Sequence, residues 1–309
     1  MVLLATIFPV IVIALIGYFV RQRNAISETD SIGIEKVVFK FLIPCLLFNG
    51  TATTIFPEFI NWNFMGGFYS SIFIVYLIGM LIGKLFFAYN NVQYSVFGMG
   101  GAYSNVTVIG IPFCIQVFGD EAFLPLFIII STHNIILFAF GTIVAEMKKE
   151  TSTSILRHLA EVIKGFVLHP ITGSLLAGII VNLLNIPLHI AVLNTLDLLA
   201  QAASPLALFA LGSALTRYRI TGNMRATLTL VALKLLLLPT MVYFSLFHIL
   251  EVDPLWAGTA VLLSSMPPGI GPYVFSIKYR ACESQIASAV VISAMLSMFT
   301  SSFFILLTT

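Results

Sequence analysis

The sequence is poor in charge: only 9% of its residues are Asp, Glu, Lys or Arg, whereas 59% are hydrophobic. Soluble domains carry roughly a quarter charged residues, so this composition excludes an ordinary soluble domain and predicts an integral membrane protein in a lipid bilayer. A nucleic-acid partner would need a clustered basic surface. The net charge of +2 therefore argues against one.

Cysteine is also scarce, and the catalytic motifs of common enzymes are missing. The three cysteines have neither disulfide nor zinc spacing and are expected to be small buried hydrophobes. The sequence contains no H-E-x-x-H or G-x-S-x-G element and no P-loop. We therefore expect no enzyme and no cofactor, apart from a coupled proton or sodium ion.

Hydrophobic windows long enough to cross a membrane recur along the whole chain. A hydrocarbon core of about 30 Å needs roughly 20 helical residues, and the alternation typical of a barrel strand is missing from the sequence. The sequence therefore predicts an all-α polytopic membrane protein with ten transmembrane helices. The predicted spans are residues 2–20, 32–51, 64–87, 94–118, 122–146, 168–186, 190–214, 226–249, 255–281 and 284–307.

The basic residues separate to one side of this ten-helix arrangement. Of the 15 Lys and Arg residues, 13 fall in loops or helix ends on one side of the membrane. The loops on the opposite side contain no Lys or Arg, and their charged residues are all acidic. Because cytoplasmic loops carry the excess of Lys and Arg, we expect a multi-pass protein of the cell membrane with both termini outside. The acidic residues of the outer loops are Glu58, Asp120, Glu121, Glu251 and Asp253.

The two halves of the chain resemble each other at a nearly constant offset. This predicts two five-helix repeats, residues 1–146 and 168–309, joined by a cytoplasmic linker, residues 147–167. Because five is odd, the second repeat runs inverted, as in many transporters. The pairs 161 residues apart are Pro9 with Pro170, Gly17 with Gly178, Pro44 with Pro205, and Phe48 with Phe209; those 160 apart are Ser104 with Ser264 and Pro112 with Pro272.

Helix breakers interrupt the fourth and ninth predicted spans at matching positions, within YSNVTVIGIPF and SSMPPGIGP. Unpaired backbone at membrane depth must lie inside protein or line a wet cavity, so matched breaks point to a binding site. The free amides of a broken helix favour an anion such as a carboxylate; a pair of packing kinks is the alternative. The predicted substrate-binding residues are Asn105, Thr107, Gly110, Pro112, Ser265, Pro267, Pro268, Gly269 and Gly271.

The same segments resemble the auxin efflux carrier family, which includes bacterial malonate and malate permeases. SNVTVIGIPF is similar to one crossover element of that family, SSMPPGIGPYVFSIKY to the other, and PLALFALGSAL to its seventh helix. The resemblance implies a ten-helix inverted-repeat carrier of organic anions, with helices 4 and 9 crossing at the substrate site and elevator-type alternating access. Such carriers are often homodimers. Ser265 departs from the pattern, because no asparagine matches Asn105 in the second half.

Ionisable residues inside predicted spans are functional candidates. Asp197 and Gln201 lie one helical turn apart, so they share a face and could couple a proton or a sodium ion. The alternative is an acid satisfied by helix-end donors. The other intramembrane polar residues are His133, Asn134 and Lys234, and Lys234 needs an internal partner, for which Asp197 is one candidate.

A secondary transporter for a small organic anion, such as a mono- or dicarboxylate, is the function that these features favour. An intramembrane hydrolase using Ser174 or Ser213 with His133 is an alternative from another class. An anion channel is a third, and it would pass large currents that do not saturate.

Overall fold

The computed structural model describes residues 2–54, 61–147, 170–217 and 220–308, and every regular element among them is helical. Apart from Met147, the predicted linker, residues 147–167, lies outside the described residues. The helices are α1 (Val2–Gln22), α2 (Glu28–Val37), α3 (Ile43–Thr53), α4 (Trp62–Phe86), α5 (Asn91–Ala102), α6 (Gly110–Phe118), α7 (Phe123–Glu146), α8 (Pro170–Leu183), α9 (Ile190–Leu215), α10 (Met224–Ala232), α11 (Leu238–Tyr243), α12 (Pro254–Ser265), α13 (Ile270–Tyr279) and α14 (Glu283–Thr308).

Several of these helical stretches are long and apolar enough to cross a membrane, which confirms the prediction of an all-α polytopic membrane protein. The described residues contain five such stretches, or six if α12 and α13, bent by 48°, form one span. The ten-helix count and the inverted repeat stay predictions. The five stretches are Trp62–Phe86, Gly110–Glu146, Ile190–Leu215, Met224–Ile249 and Glu283–Thr308.

The chain forms two compact units, and each takes segments from both halves of the sequence. The division falls inside α7, between Ser131 and Thr132. The first unit comprises Met1–Phe59, Thr107–Ser131 and Gly165–Arg217; the second comprises Ile60–Val106, Thr132–Lys164 and Tyr218–Thr309.

In the first unit, glycines bring helices into backbone contact. A Cβ on Gly17 of α1 would collide with the carbonyl of Phe209 in α9. Likewise, a Cβ on Gly178 of α8 would collide with Thr51 and would lie 2.6 Å from the carbonyl oxygen of Phe48 in α3. Small residues allow this close approach, which strengthens packing between apolar helices. The two contacts are related by the 161-residue offset, because Gly17 corresponds to Gly178 and Phe209 corresponds to Phe48.

The second unit contains the second predicted helix break and the beginning of the first, up to Val106. At the first break, α5 ends at Ala102 and α6 begins only at Gly110, already in the first unit. At the second break, α12 ends at Ser265 and α13 begins at Ile270. The second break contains Pro267 and Pro268, which cannot donate backbone hydrogen bonds and so end the helix. Both predicted interruptions are therefore confirmed as unwound segments.

The two unwound segments touch within the second unit. The backbone N–H of Asn105 donates to the carbonyl oxygen of Pro267 at 3.0 Å. A Cβ on Gly269 would lie 2.9 Å from Cγ of Asn105, and a Cβ on Gly271 would lie 2.6 Å from the ring of Tyr103. Glycine at both positions leaves room for the second segment to lie this close to the side chains of Asn105 and Tyr103.

A cysteine pair should trap this crossing. We expect Asn105→Cys combined with Gly269→Cys to form a disulfide readily, because a Cβ at 269 would lie 3.1 Å from Cβ of Asn105. A small relaxation brings that separation into the disulfide range of roughly 3.5–4.5 Å. The measurement is a mass shift of a peptide pair after mild oxidation in native membranes, with Cys45, Cys114 and Cys282 first replaced by serine.

Gly66→Cys combined with Asn105→Cys is the matched control, because a Cβ on Gly66 has no neighbour within 4 Å. Two outcomes would contradict the close contact of the two unwound segments: equal cross-linking of the 105–269 and 66–105 pairs, or no cross-linking of the 105–269 pair.

Candidate functional site

Lys234 is the charged group at the centre of the crossing. It lies in a π-helical turn, Leu233–Leu237, between α10 and α11, and its side chain is fully buried. Its ammonium nitrogen donates to the hydroxyl of Ser104 at 2.7 Å and to the carbonyl oxygen of Ser264 at 2.5 Å. One lysine thus joins the two broken helices just where each of them ends.

The partners of this ammonium are helix ends rather than a carboxylate. The last carbonyls of a helix have no partner within it and carry partial negative charge, which attracts a cation. Ser264 belongs to the last turn of α12, and Ser104 follows α5 by two residues. In the described part of the chain, no carboxylate forms a salt bridge with Lys234. The hydrogen bonds of Lys234 therefore lie within its own unit, and Asp197 is not their acceptor.

His133 and Asn134 of α7 support the first unwound segment. Nε2 of the buried His133 accepts the backbone N–H of Ser104 at 3.1 Å, so its hydrogen is on Nδ1, which has no partner among the residues described. The Tyr103 hydroxyl donates to Oδ1 of Asn134 at 2.5 Å. The two predicted polar residues thus hold adjacent residues of the same segment.

Ser265 is engaged at the end of its own helix. Its hydroxyl donates to the carbonyl oxygen of Leu262 at 2.8 Å and lies 3.0 Å from the hydroxyl of Ser301. The hydroxyl of Ser301, in α14, lies 3.3 Å from the carbonyl oxygen of Ser265 and donates to it. In this structure Ser265 fixes α12 against α14.

The second break ends in an uncapped helix terminus. Gly269 precedes α13 and has no side chain with which to cap the first amides of this helix, those of Ile270 and Gly271. Pro267, Pro268 and Gly269 are buried, whereas Ile270 is exposed. The terminus of α13 is therefore close to accessible surface and suited to an anion.

The remaining predicted residues of the first break come after Asn105 in the sequence. Thr107 is half-buried in the unwound segment, and Gly110 and Pro112 are buried in the first turn of α6, where proline is tolerated. These residues belong to the first unit. Their part in substrate binding stays a prediction.

Asp197 and Gln201 share one face of α9, as their spacing predicted. The Gln201 amide donates to Oδ2 of Asp197 at 2.7 Å, and Asp197 is exposed. Within the described segments, no group of three His, Cys, Asp or Glu residues could hold a metal ion.

The residues suggested for a hydrolase have other hydrogen-bond partners. The hydroxyl of Ser174 donates to the carbonyl oxygen of Ile171, and Ser213 shares a hydrogen bond with Ser31. His133 accepts from Ser104. No pairing of a serine hydroxyl with His133 is therefore part of this arrangement.

Sequence reasoning missed Ser104 and Tyr103 as parts of the site. A signal for Ser104 existed, because Ser104 and Ser264 are 160 residues apart and match in the two halves. In the structure both residues bind the same ammonium.

Known proteins resemble the chain along nearly all of its length. The family model described as "Membrane transport protein" matches residues 2–305. A protein of Rhizobium meliloti (strain 1021) described as "Putative malonate transporter" is 25% identical over 299 residues, which cover 95% of this chain and 92% of the relative. An "Uncharacterized transporter" of Methanothermobacter thermautotrophicus (strain Delta H) is 24% identical over 304 residues, covering 95% of this chain and 94% of the relative.

These matches agree with the apolar helices, and they confirm the family resemblance noted in the sequence. The relatives are described as transporters, not as enzymes. The chain therefore belongs to the membrane transport protein family, the family of the auxin efflux carriers, and is a multi-pass membrane transporter.

Proposed function

We propose that this protein is a secondary active transporter that moves a small organic anion, such as a mono- or dicarboxylate, across the cell membrane. The observation that carries the proposal is the crossing of Asn105 with Pro267 beside the uncapped start of α13. Unwound backbone and a free helix terminus are the usual parts of a transporter site.

The electrostatics of the crossing favour an anion over a cation. The first amides of α13 present partial positive charge, and the Asn105 side chain adds polar groups to the same segment pair. The buried side chain of Lys234 adds hydrogen-bond donors at the same crossing, to Ser104 and Ser264. In this proposal the carboxylate binds the α13 amides and Asn105, while Pro267, Pro268, Gly269 and Gly271 shape the backbone that receives it.

The relatives support this substrate class without fixing the substrate. Malonate, which one relative is described as carrying, is a dicarboxylate. At 25% identity, the substrate named for that relative cannot be assigned to this chain. The proposal therefore stays at small mono- and dicarboxylates.

We further propose ten membrane helices in a 5+5 inverted repeat, with both termini outside, and elevator-type alternating access. The offset-related contacts of Gly17 with Phe209 and of Gly178 with Phe48 support the repeat. Elevator transport needs two bodies, and the chain forms two compact units. A homodimer is the assembly proposed for it.

Asp197 is the proposed coupling residue, with Gln201 holding its carboxylate. An acid within an apolar span is costly and is therefore a functional candidate by default. Asp197 is exposed on α9, about seven residues from the start of the helix, and its carboxylate accepts from Gln201.

Asn105→Ala should leave a folded protein that no longer transports its anion effectively. A hydrogen bond to a charged group is worth roughly 1.5–3 kcal/mol, so we expect affinity to fall by at least about tenfold. The measurement is saturable uptake and counterflow in proteoliposomes, starting with radiolabelled malonate and extending to other mono- and dicarboxylates.

Asn194→Ala is the matched control, because Asn194 is an exposed asparagine on α9. Wild-type affinity in Asn105→Ala would refute the assignment. Flux through the wild-type protein that neither saturates nor shows counterflow would indicate a channel instead.

Asp197→Asn should uncouple transport from its ion gradient. The amide cannot gain or lose a proton and binds sodium more weakly, so we expect accumulation driven by an imposed proton or sodium gradient to disappear. Counterflow of labelled against unlabelled anion should persist, because it needs no net ion movement. Retention of gradient-driven accumulation would exclude Asp197 as the coupling residue.

A further inference from the structure

The surroundings of Lys234 have the chemistry of a monovalent-cation site. A hydroxyl oxygen, from Ser104, and a backbone carbonyl oxygen, from Ser264, both accept hydrogen bonds from the ammonium. In transporters, unwound carbonyls and the C-terminal ends of half-helices are groups that coordinate sodium. Here the same kinds of group surround a side chain of the protein itself.

We propose that Lys234 acts as a built-in monovalent cation that holds the two unwound segments together. Its ammonium occupies the place that a free cation would need at the ends of α5 and α12. The inference goes beyond the proposed function, because it holds whatever solute the carrier moves.

A positive charge is needed at this point for a physical reason. The carbonyl oxygen of Ser264, in the last turn of α12, and the hydroxyl oxygen of Ser104, two residues after α5, face one position, and the partial negative charges of the two oxygens repel each other unless a cation lies between them. Ser104, Ser264 and Lys234 are all fully buried, so water does not screen that repulsion. An apolar side chain at position 234 would leave the carbonyl oxygen of Ser264 buried without this donor.

The competing explanation is that Lys234 serves only as a space-filling group whose charge is unimportant. The two explanations differ in what can replace the side chain. Lys234→Ala removes the equivalent of one propylammonium ion, so that ion should restore the site, whereas uncharged n-propanol of similar shape should not. Lys234→Met removes the charge but keeps most of the volume, leaving no space for the added amine.

The experiment measures the unfolding temperature of purified protein in detergent, with choline, propylammonium or n-propanol added at constant ionic strength. We expect the wild-type protein to unfold at the same temperature in choline and in propylammonium. Lys234→Ala should unfold at least about 4 °C lower in choline, and propylammonium should raise that temperature saturably. Lys234→Met should unfold lower and gain nothing from propylammonium.

Lys40→Ala is the matched control, because Lys40 lies in another π-helical turn, Val38–Leu42, but is exposed. We expect it to behave like wild type. Equal rescue of Lys234→Ala by n-propanol, no rescue by propylammonium, or wild-type stability of Lys234→Met would overturn the proposal.

Recovery of Lys234→Ala only when propylammonium is present during purification would support the proposal, and failure to recover it even then would contradict it. No transported anion is present in these measurements. Failure of carboxylate uptake would therefore leave this inference intact, and failure of the amine rescue would leave the proposed transport intact.

Discussion

The structure depends on one constraint: backbone that leaves a helix among apolar spans must find its hydrogen-bond partners inside the protein. Here the two unwound segments are hydrogen-bonded to each other. The N–H of Asn105 bonds to the carbonyl of Pro267, and glycine at 269 leaves room for that approach. A regular helix in either place would satisfy its own backbone and would offer nothing to a solute.

The charge of Lys234 follows from this constraint. Ending α5 and α12 at one place brings the hydroxyl of Ser104 and the carbonyl oxygen of Ser264 together, and the buried ammonium binds both without a carboxylate partner among the described residues. Because its compensation comes from fixed helix ends, the positive charge is held at one position. The two acceptors of this ammonium adjoin the unwound segments for which anion binding is proposed.

In the first unit, the helices are held together by close packing of their backbones. Apolar helices in a bilayer gain little from the hydrophobic effect, so contact between backbones stabilises them instead. Gly17 against Phe209 and Gly178 against Phe48 provide such contacts. An offset of 161 residues relates these contacts, and an offset one residue shorter relates Ser104 to Ser264, so similar positions in the two halves serve both packing and the crossing.

The sequence by itself determined what depends on composition and on neighbours along the chain. Its apolar content required membrane helices, Pro267 and Pro268 required a break, and the spacing of Asp197 and Gln201 placed them on one helical face. The partners of Lys234 were decided by the tertiary structure alone. Ser104 and Ser264 are distant in sequence, and no local rule specifies which helix ends will meet around a buried charge.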